Sequence, residues 1–175
     1  ALNGLNGTAA TIAELISTNF ELPVTWFRKS PGPIPKQGAD PASPVLAQEM
    51  RKFMSGSDFS LGVAWDGDCD RCVCFDGSGE LIPTYYLVGL LVDHFLRQKP
   101  GGAIVFDTKL CWNTLDMINR RGGKAVPAET GHAFMKQKMY QHGAVYGGEL
   151  ADSAWHQTVN HRQSTAPRYC RSPCG

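Results

Sequence analysis

Three aspartates stand at alternate positions in the run Asp66-Gly67-Asp68-Cys69-Asp70-Arg71. In extended or gently turning backbone this spacing points alternate side chains the same way. Carboxylates that converge on one point repel strongly unless a cation sits among them. Oxygen ligands without histidine or paired cysteines favour magnesium, manganese or calcium over zinc. A calcium EF-hand shares the Asp-x-Asp-x-Asp opening but needs Gly at its sixth position and Glu at its twelfth. Arg71 and Gly77 hold those places here, and the run follows a strand pattern, not a helix. Asp66, Asp68 and Asp70 therefore read as metal ligands. Arg71 adds a fixed cation where a substrate anion can dock. The competing reading is a solvated acidic turn; the apolar strands that frame the run weigh against it.

A second set of chemical groups lies in three short segments: Asp107-Thr108-Lys109, Glu129-Thr130-Gly131-His132 and Gly147-Gly148-Glu149. Each follows an apolar run predicted as a strand, at 103–106, 124–126 and 144–146. In parallel α/β sheets, ligands bind at the carboxyl ends of the strands. Lys109, His132 and Glu149 would then share one sheet edge. Such a set suits a phosphorylated sugar, with a cation for phosphate, a carboxylate for vicinal hydroxyls and an imidazole for orientation or proton transfer. Taken singly, Lys109 reads as a surface lysine, His132 as the start of a helix and Glu149 as an exposed turn residue. Their common placement is what joins them.

The elements that must position these groups alternate along the chain. Ile12, Leu15, Ile16 and Phe20 repeat at helical spacing after the turn Asn6-Gly7-Thr8. A Pro- and Gly-rich connection over 30–44 ends at Ser43-Pro44, a capping hydroxyl followed by a proline suited to the first helical position. Leu46, Met50 and Phe53 are the expected buried stripe of that helix. Strands are predicted over 61–65 and 72–75, flanking the acidic run. In the second, Cys72 and Cys74 share one face as small buried thiols. A helix over 85–96, buried on more than one side, opens a second unit that continues with helices over 111–120 and 131–141. Its βαβαβ rhythm implies parallel strands with right-handed crossovers. The fold class is α/β: two consecutive units with mixed or parallel sheets flanked by helices, over 1–80 and 81–157. Residues 158–175 are polar, basic and without periodicity, and are expected to be a disordered or aberrant tail.

Composition narrows the function classes. The 175 residues carry 17 basic and 16 acidic side chains, a net charge of +1, which argues against a nucleic-acid partner. No apolar run reaches the ~20 residues of a membrane span. The first residues lack the layout of a signal peptide and an initiating Met, so a processed or truncated chain is expected. Cys69, Cys72 and Cys74 crowd too closely for a disulfide framework, so the cysteines are expected to be reduced and the chain cytoplasmic. A zinc-bound structural protein would need Cys170 and Cys174 as a second ligand pair beside Cys69 and Cys72, at a separation unlike a compact zinc module.

With these pieces in order, the sequence resembles the α-D-phosphohexomutase superfamily, and within it the bacterial phosphomannomutases and phosphoglucomutases. The resemblance is carried by DGDCDRCVCFD (66–76), TYYLVGLL (84–91), WNTLDMI (112–118), GGKAVPAETGHAFMK (122–136) and AVYGGEL (144–150). It implies that Asp66, Asp68 and Asp70 bind magnesium and that Arg71 sits beside an active phosphoserine. It implies that Lys109 and His132 meet substrate phosphate and sugar, and that Gly148 and Glu149 belong to the segment that grips sugar hydroxyls. The implied reaction interconverts hexose 6-phosphate and hexose 1-phosphate, mannose ahead of glucose, through a phosphoserine and a bisphosphate intermediate. Family members have four domains, and the chain matches most of the second plus the third; the first, with its phosphoserine, and the fourth, with its phosphate-gripping loop, have no counterpart segment here. The family motif Gly-Glu-x-Ser reads Gly148-Glu149-Leu150-Ala151, with Ser153 out of register, and 156–175 resembles no family segment. The chain alone is accordingly expected to be inactive. A reading from another class is a non-catalytic module that binds a divalent cation or a sugar phosphate.

Overall fold

Apolar residues at every second position of 61–65 and 72–76 form the antiparallel centre of the first sheet. A computed structural model describes residues 1–149 and 154–156. The first unit runs β1 (Leu2–Asn3), α1 (Ala9–Asn19), β2 (Trp26–Arg28), α2 (Pro44–Met54), β3 (Leu61–Trp65), β4 (Cys72–Asp76) and β5 (Leu81–Ile82). Its sheet has the order β2-β1-β3-β4-β5. β1 is parallel to β2 and β3, whereas β3, β4 and β5 pair antiparallel, so the sheet is mixed. The short strands β1, β2 and β5 are too brief to show a period of their own.

Ser43 caps α2 as its sequence predicts, its Oγ accepting from the Leu46 amide at 3.4 Å, with Pro44 at the first helical position. The buried stripe of α2 is Leu46, Met50 and Met54. Phe53, expected in that stripe, is half-buried and stacks between Phe27 and Phe59, with ring centroids 4.8 and 5.8 Å away. Met50 and Met54 close on Ala64, Val73 and Phe75. Burying each of those methionines contributes about 1.5–3 kcal/mol. The buried face of β4 is thus Val73 and Phe75, and Cys72 and Cys74 lie half-buried on the opposite face. This corrects the expectation of buried thiols: the larger apolar side chains take the core face. In α1, Ala9, Ala10 and Ser17 are buried, whereas Ile12, Leu15, Ile16 and Phe20 face outward.

The second unit runs α3 (Thr84–Gln98), β6 (Ala103–Asp107), a 3₁₀ turn (Thr108–Leu110), α4 (Cys111–Arg120), β7 (Lys124–Ala128), α5 (His132–His142), β8 (Tyr146–Gly148) and β9 (Ala154–His156). The sheet order is β7-β6-β8-β9. β6 is parallel to both β7 and β8, and β9 adds an antiparallel edge. Every residue of β6 is buried, as a central parallel strand covered on both faces must be. Ile104 and Phe106 meet Val88, Val92, Leu96 and Ile118 of α3 and α4. Ala103 and Val105 meet Met135 and Met139 of α5 on the other face.

Two expectations shift here. α3 buries one stripe, not several sides: Val88, Val92 and Leu96 are covered, while Tyr86 and Leu90 are exposed. The strand expected at 144–146 forms two residues later. At Ala144 the chain is still closing α5, its amide donating to the Met139 carbonyl at 2.9 Å. No helix of the described residues is long and apolar enough to cross a membrane.

Candidate functional site

The acidic run leaves β3 and re-enters β4 through a tight loop. The loop closes when the Asp66 amide donates to the Arg71 carbonyl at 3.3 Å and the Cys69 amide donates to the Asp66 carbonyl at 3.2 Å. Cys69 takes a left-handed φ of 64° to make the turn. Asp66 is the pivot, with only 1 % of its surface exposed. Its Oδ1 accepts from the amides of Asp70 at 3.0 Å and Arg71 at 3.1 Å, and its Oδ2 accepts from Arg71 Nε at 2.7 Å. Arg71 also lies 3.6 Å from Asp70 and 3.9 Å from Asp40.

One carboxylate oxygen each from Asp66, Asp68 and Asp70 lies within 4.8 Å of the others. Asp68 and Asp70 are exposed and Asp66 is buried, so the group opens to solvent from an anchored base. Burial pushes the Asp66 carboxyl up, but the hydrogen bonds from Arg71 and the contact with Asp70 outweigh it and hold Asp66 below the usual carboxylate value. Asp70 moves the other way, raised by its contact with Asp66, then by burial and by the charges of Asp66 and Asp68. That opposition marks a charge cluster that a cation would relieve. The donor set is hard oxygen. The thiol of Cys69 is pushed up by burial and by the charges of the three aspartates. The residues present therefore fit a magnesium-like ion. Cys170 and Cys174, the second pair of the zinc reading, lie outside the described residues.

The strand-end group gathers at the second sheet. Asp107, the last residue of β6, is fully buried; its Oδ1 accepts from the Lys109 amide at 2.9 Å and its Oδ2 from the Thr130 hydroxyl at 2.8 Å. Glu149, just past β8, is 3 % exposed and its Oε2 accepts from the Gly131 amide at 2.8 Å. Gly131 can present that amide because its φ of 127° lies where side-chain-bearing residues are strained. So the ends of β6, β7 and β8 are stitched together by two buried carboxylates. Glu149 is no exposed turn residue. Lys109 lies exposed in the 3₁₀ turn, and His132 is the exposed first residue of α5. Gly148 is buried at the end of β8, with the Tyr146 hydroxyl and Val88 in the space a side chain would need.

A cavity of about 330 Å³ adjoins this group, lined by Thr108, Pro127, Glu129, Phe134 and Lys138 among others. None of Lys109, His132 and Glu149 lines it. Sequence reasoning does not single out Asp107 and Thr130 as holders of the site. The available signal is an aspartate ending a wholly apolar run, which a buried strand tolerates only when it is hydrogen-bonded. Leu150, Ala151 and Ser153, where the family sugar motif would continue, and the expected tail at 158–175 lie outside the described residues.

Comparison with known proteins gives one consistent picture. A family model described as phosphoglucomutase/phosphomannomutase, alpha/beta/alpha domain III, matches residues 83–163. A phosphomannomutase of Escherichia coli is 37 % identical over 156 residues, covering 86 % of this chain and 34 % of that protein. A Xanthomonas campestris protein named phosphohexose mutases is 41 % identical over 152 residues, with the same 86 % and 34 % shares. The chain thus spans about a third of the length of the curated relatives it matches. The crystal structure of a phosphoglucomutase/phosphomannomutase family protein from Burkholderia thailandensis superposes with a TM-score of 0.83 at 25 % identity, over 89 % of this chain and 34 % of that one. A structure from Thermus thermophilus, described as a phosphomannomutase, shares the fold with a TM-score of 0.76 at 21 % identity, over 89 % of this chain and 36 % of that one.

Proposed function

Since the chain belongs to the α-D-phosphohexomutase superfamily, we propose that it is the metal-holding and sugar-reading part of a hexose-phosphate mutase. The observation that carries this reading is the convergence of Asp66, Asp68 and Asp70 on one point, with Arg71 bonded to the buried member. Asp66, Asp68 and Asp70 would hold magnesium, which when bound offsets the negative charge of a phosphoryl group in transfer. Asp66 orients Arg71 through Nε, so the guanidinium is a second fixed cation for the same charge. Lys109 supplies a charge for the phosphate of the substrate, and His132 a ring to orient the sugar or carry a proton. Glu149 spends Oε2 on Gly131 and offers Oε1 to a sugar hydroxyl. The substrate is a hexose monophosphate, with mannose ahead of glucose.

The phosphoserine that exchanges the phosphoryl group, and the loop that grips the distal phosphate, belong to other parts of a full-length mutase. The chain should therefore bind without turning over. Incubation with mannose 1-phosphate, magnesium and a hexose bisphosphate activator is expected to yield no mannose 6-phosphate, whereas calorimetry with magnesium and mannose 1-phosphate should register binding that Asp68→Asn weakens. Turnover by this chain alone would refute the division of labour. Unchanged magnesium affinity in Asp68→Asn would remove the acidic loop from the reading.

A further inference from the structure

The acidic loop is held by a second segment of the chain. Gly67 lies between Asp66 and Asp68. Its carbonyl accepts from the Thr8 amide at 3.1 Å and from the Thr8 hydroxyl at 3.4 Å. Gly7 presses on the same residue: a Cβ at position 7 would lie 2.4 Å from the Gly67 carbonyl oxygen and 2.6 Å from its Cα. The obstacle is backbone, so no rotamer change relieves it, and only glycine fits.

Thr8 is the residue before α1, where a threonine hydroxyl ordinarily accepts a hydrogen bond from a first-turn amide. It makes no such cap bond, and its backbone is helical, with φ −86° and ψ −13°. Its hydroxyl is turned to the acidic loop instead. The two residues before Gly7 bend the chain to make this possible. Leu5 and Asn6 have φ of 44° and 61°, in the left-handed region that asparagine tolerates but a residue such as Leu5 rarely adopts. Four bonds hold the turn, the first being the Gly7 amide donating to the Gly4 carbonyl at 2.7 Å across Leu5 and Asn6. The Leu5 amide donates to Oδ1 of buried Asn3 at 3.0 Å, Asn6 Nδ2 donates to the Pro33 carbonyl at 2.9 Å, and the Gly32 amide donates to the Asn6 carbonyl at 2.8 Å. The bonds to Gly32 and Pro33 come from a distant segment, and local strain kept in place by such bonds is a pattern found where a structure over-determines a functional geometry.

We infer that the turn 3–8 is a scaffold for the metal loop, and that Gly7 and Thr8 are positioning residues which set the Gly67 peptide. The directions of the Asp66 and Asp68 side chains follow from that peptide. This rests on the loop being a magnesium site. The consequence is selectivity. Magnesium demands near-octahedral geometry at short distances, whereas calcium accepts a looser and more variable shell. A loop released from its scaffold should lose magnesium first.

The test measures magnesium and calcium affinity of the whole chain by calorimetry, with apo thermal unfolding recorded alongside, for wild type, Gly7→Ala, Thr8→Val, Thr8→Ser and Asp68→Asn. Gly7→Ala and Thr8→Val are expected to lose magnesium affinity about tenfold or more, the scale seen when groups supporting metal ligands are removed. Calcium affinity should change by less, and Thr8→Ser should bind both ions as wild type does. If Gly7→Ala does not fold, the contrast between Thr8→Val and Thr8→Ser carries the test. Wild-type magnesium affinity in Gly7→Ala or Thr8→Val, with Asp68→Asn impaired, overturns the scaffold alone. Equal loss of magnesium and calcium in step with a lowered apo melting point also overturns it, because that is general damage. A wild-type chain with no magnesium affinity overturns the site reading, and the scaffold with it.

Discussion

Substituting Asp66 and Asp68 separately divides the work of holding the loop from the work of binding the ion. In Asp66→Asn, the retained oxygen can keep the amides of Asp70 and Arg71, but the new NH₂ then faces Arg71 Nε, donor against donor, in place of a 2.7 Å charged hydrogen bond. Removing one partner of a fully buried ion pair costs 3–5 kcal/mol, and exposed pairs are worth about 1 or less. The Asp66 side chain is 2 % exposed and that of Arg71 35 %, so water can rehydrate the arginine. The cost belongs between those limits, at about 2 kcal/mol. With a urea dependence of roughly 2 kcal/mol/M for a chain of this size, the midpoint should fall by about 1 M. Asp68 is exposed, and its replacement by Asn should leave the midpoint within about 0.2 M, as for most surface changes. Both variants should bind magnesium poorly. The assay is urea unfolding followed by circular dichroism without metal, with magnesium titrated calorimetrically into each variant. If Asp66→Asn unfolds at the same urea concentration as Asp68→Asn, Asp66 does not anchor the loop and its buried hydrogen bonds do not hold Arg71 in place.

Other perturbations bear on the second unit. The Tyr146 hydroxyl is buried with no hydrogen-bond partner among the described residues, so Tyr146→Phe should stabilise the chain by about 1 kcal/mol while its ring keeps its stack on Phe95 at 5.1 Å; a destabilised variant in urea would show that the hydroxyl has a partner. Asp107→Ala leaves the Lys109 amide and the Thr130 hydroxyl without their acceptor and should cost about 2–4 kcal/mol. Asp107→Asn can accept from one and donate to the other, so it should cost clearly less, and the reverse order would sink that reasoning. Asp93 bridges Arg97, at 2.8 Å, and Arg121. Burial pushes its carboxyl up, but Arg121 and then Arg97 hold it below the ordinary value of 3.8. Its stabilising contribution is therefore complete above that ordinary value and is lost as pH falls through the lowered one. The gap in stability between wild type and Asp93→Asn should shrink on acidification below about pH 4, and a gap independent of pH would contradict the assignment.

Legibility from the sequence follows the range of each interaction. β3 and α4 form over the very residues their patterns predict, because alternation and helical spacing are written in neighbouring positions. β1, β2 and β5 escape such reasoning, because strands of two or three residues exist only through their partners. The expected α2 stripe has Phe53 in place of Met54; both spacings are helical, and only the sheet beneath decides which side chain it covers. Cys72 and Cys74 sit on the same face of β4, as period-two reasoning requires, but which face is buried is a tertiary matter.

The same division runs through the site. The sequence alone determined that Asp66, Asp68 and Asp70 offer a hard oxygen set with Arg71 beside it, since six residues of backbone can bring those groups together. It also determined that Lys109, His132 and Glu149 follow strands. Tertiary structure decided that Asp66 is a buried anchor while Asp68 and Asp70 face solvent. It decided that Asp107 and Glu149 tie three strand ends together across gaps of 23 and 18 residues. And it decided that Gly7 and Thr8, 59 residues away from Gly67 in the case of Thr8, brace the acidic loop. A spacing rule sees only side chains that share a short stretch of backbone. Bracing depends on which peptides pack together, and that is settled when sheets and helices bury their apolar faces.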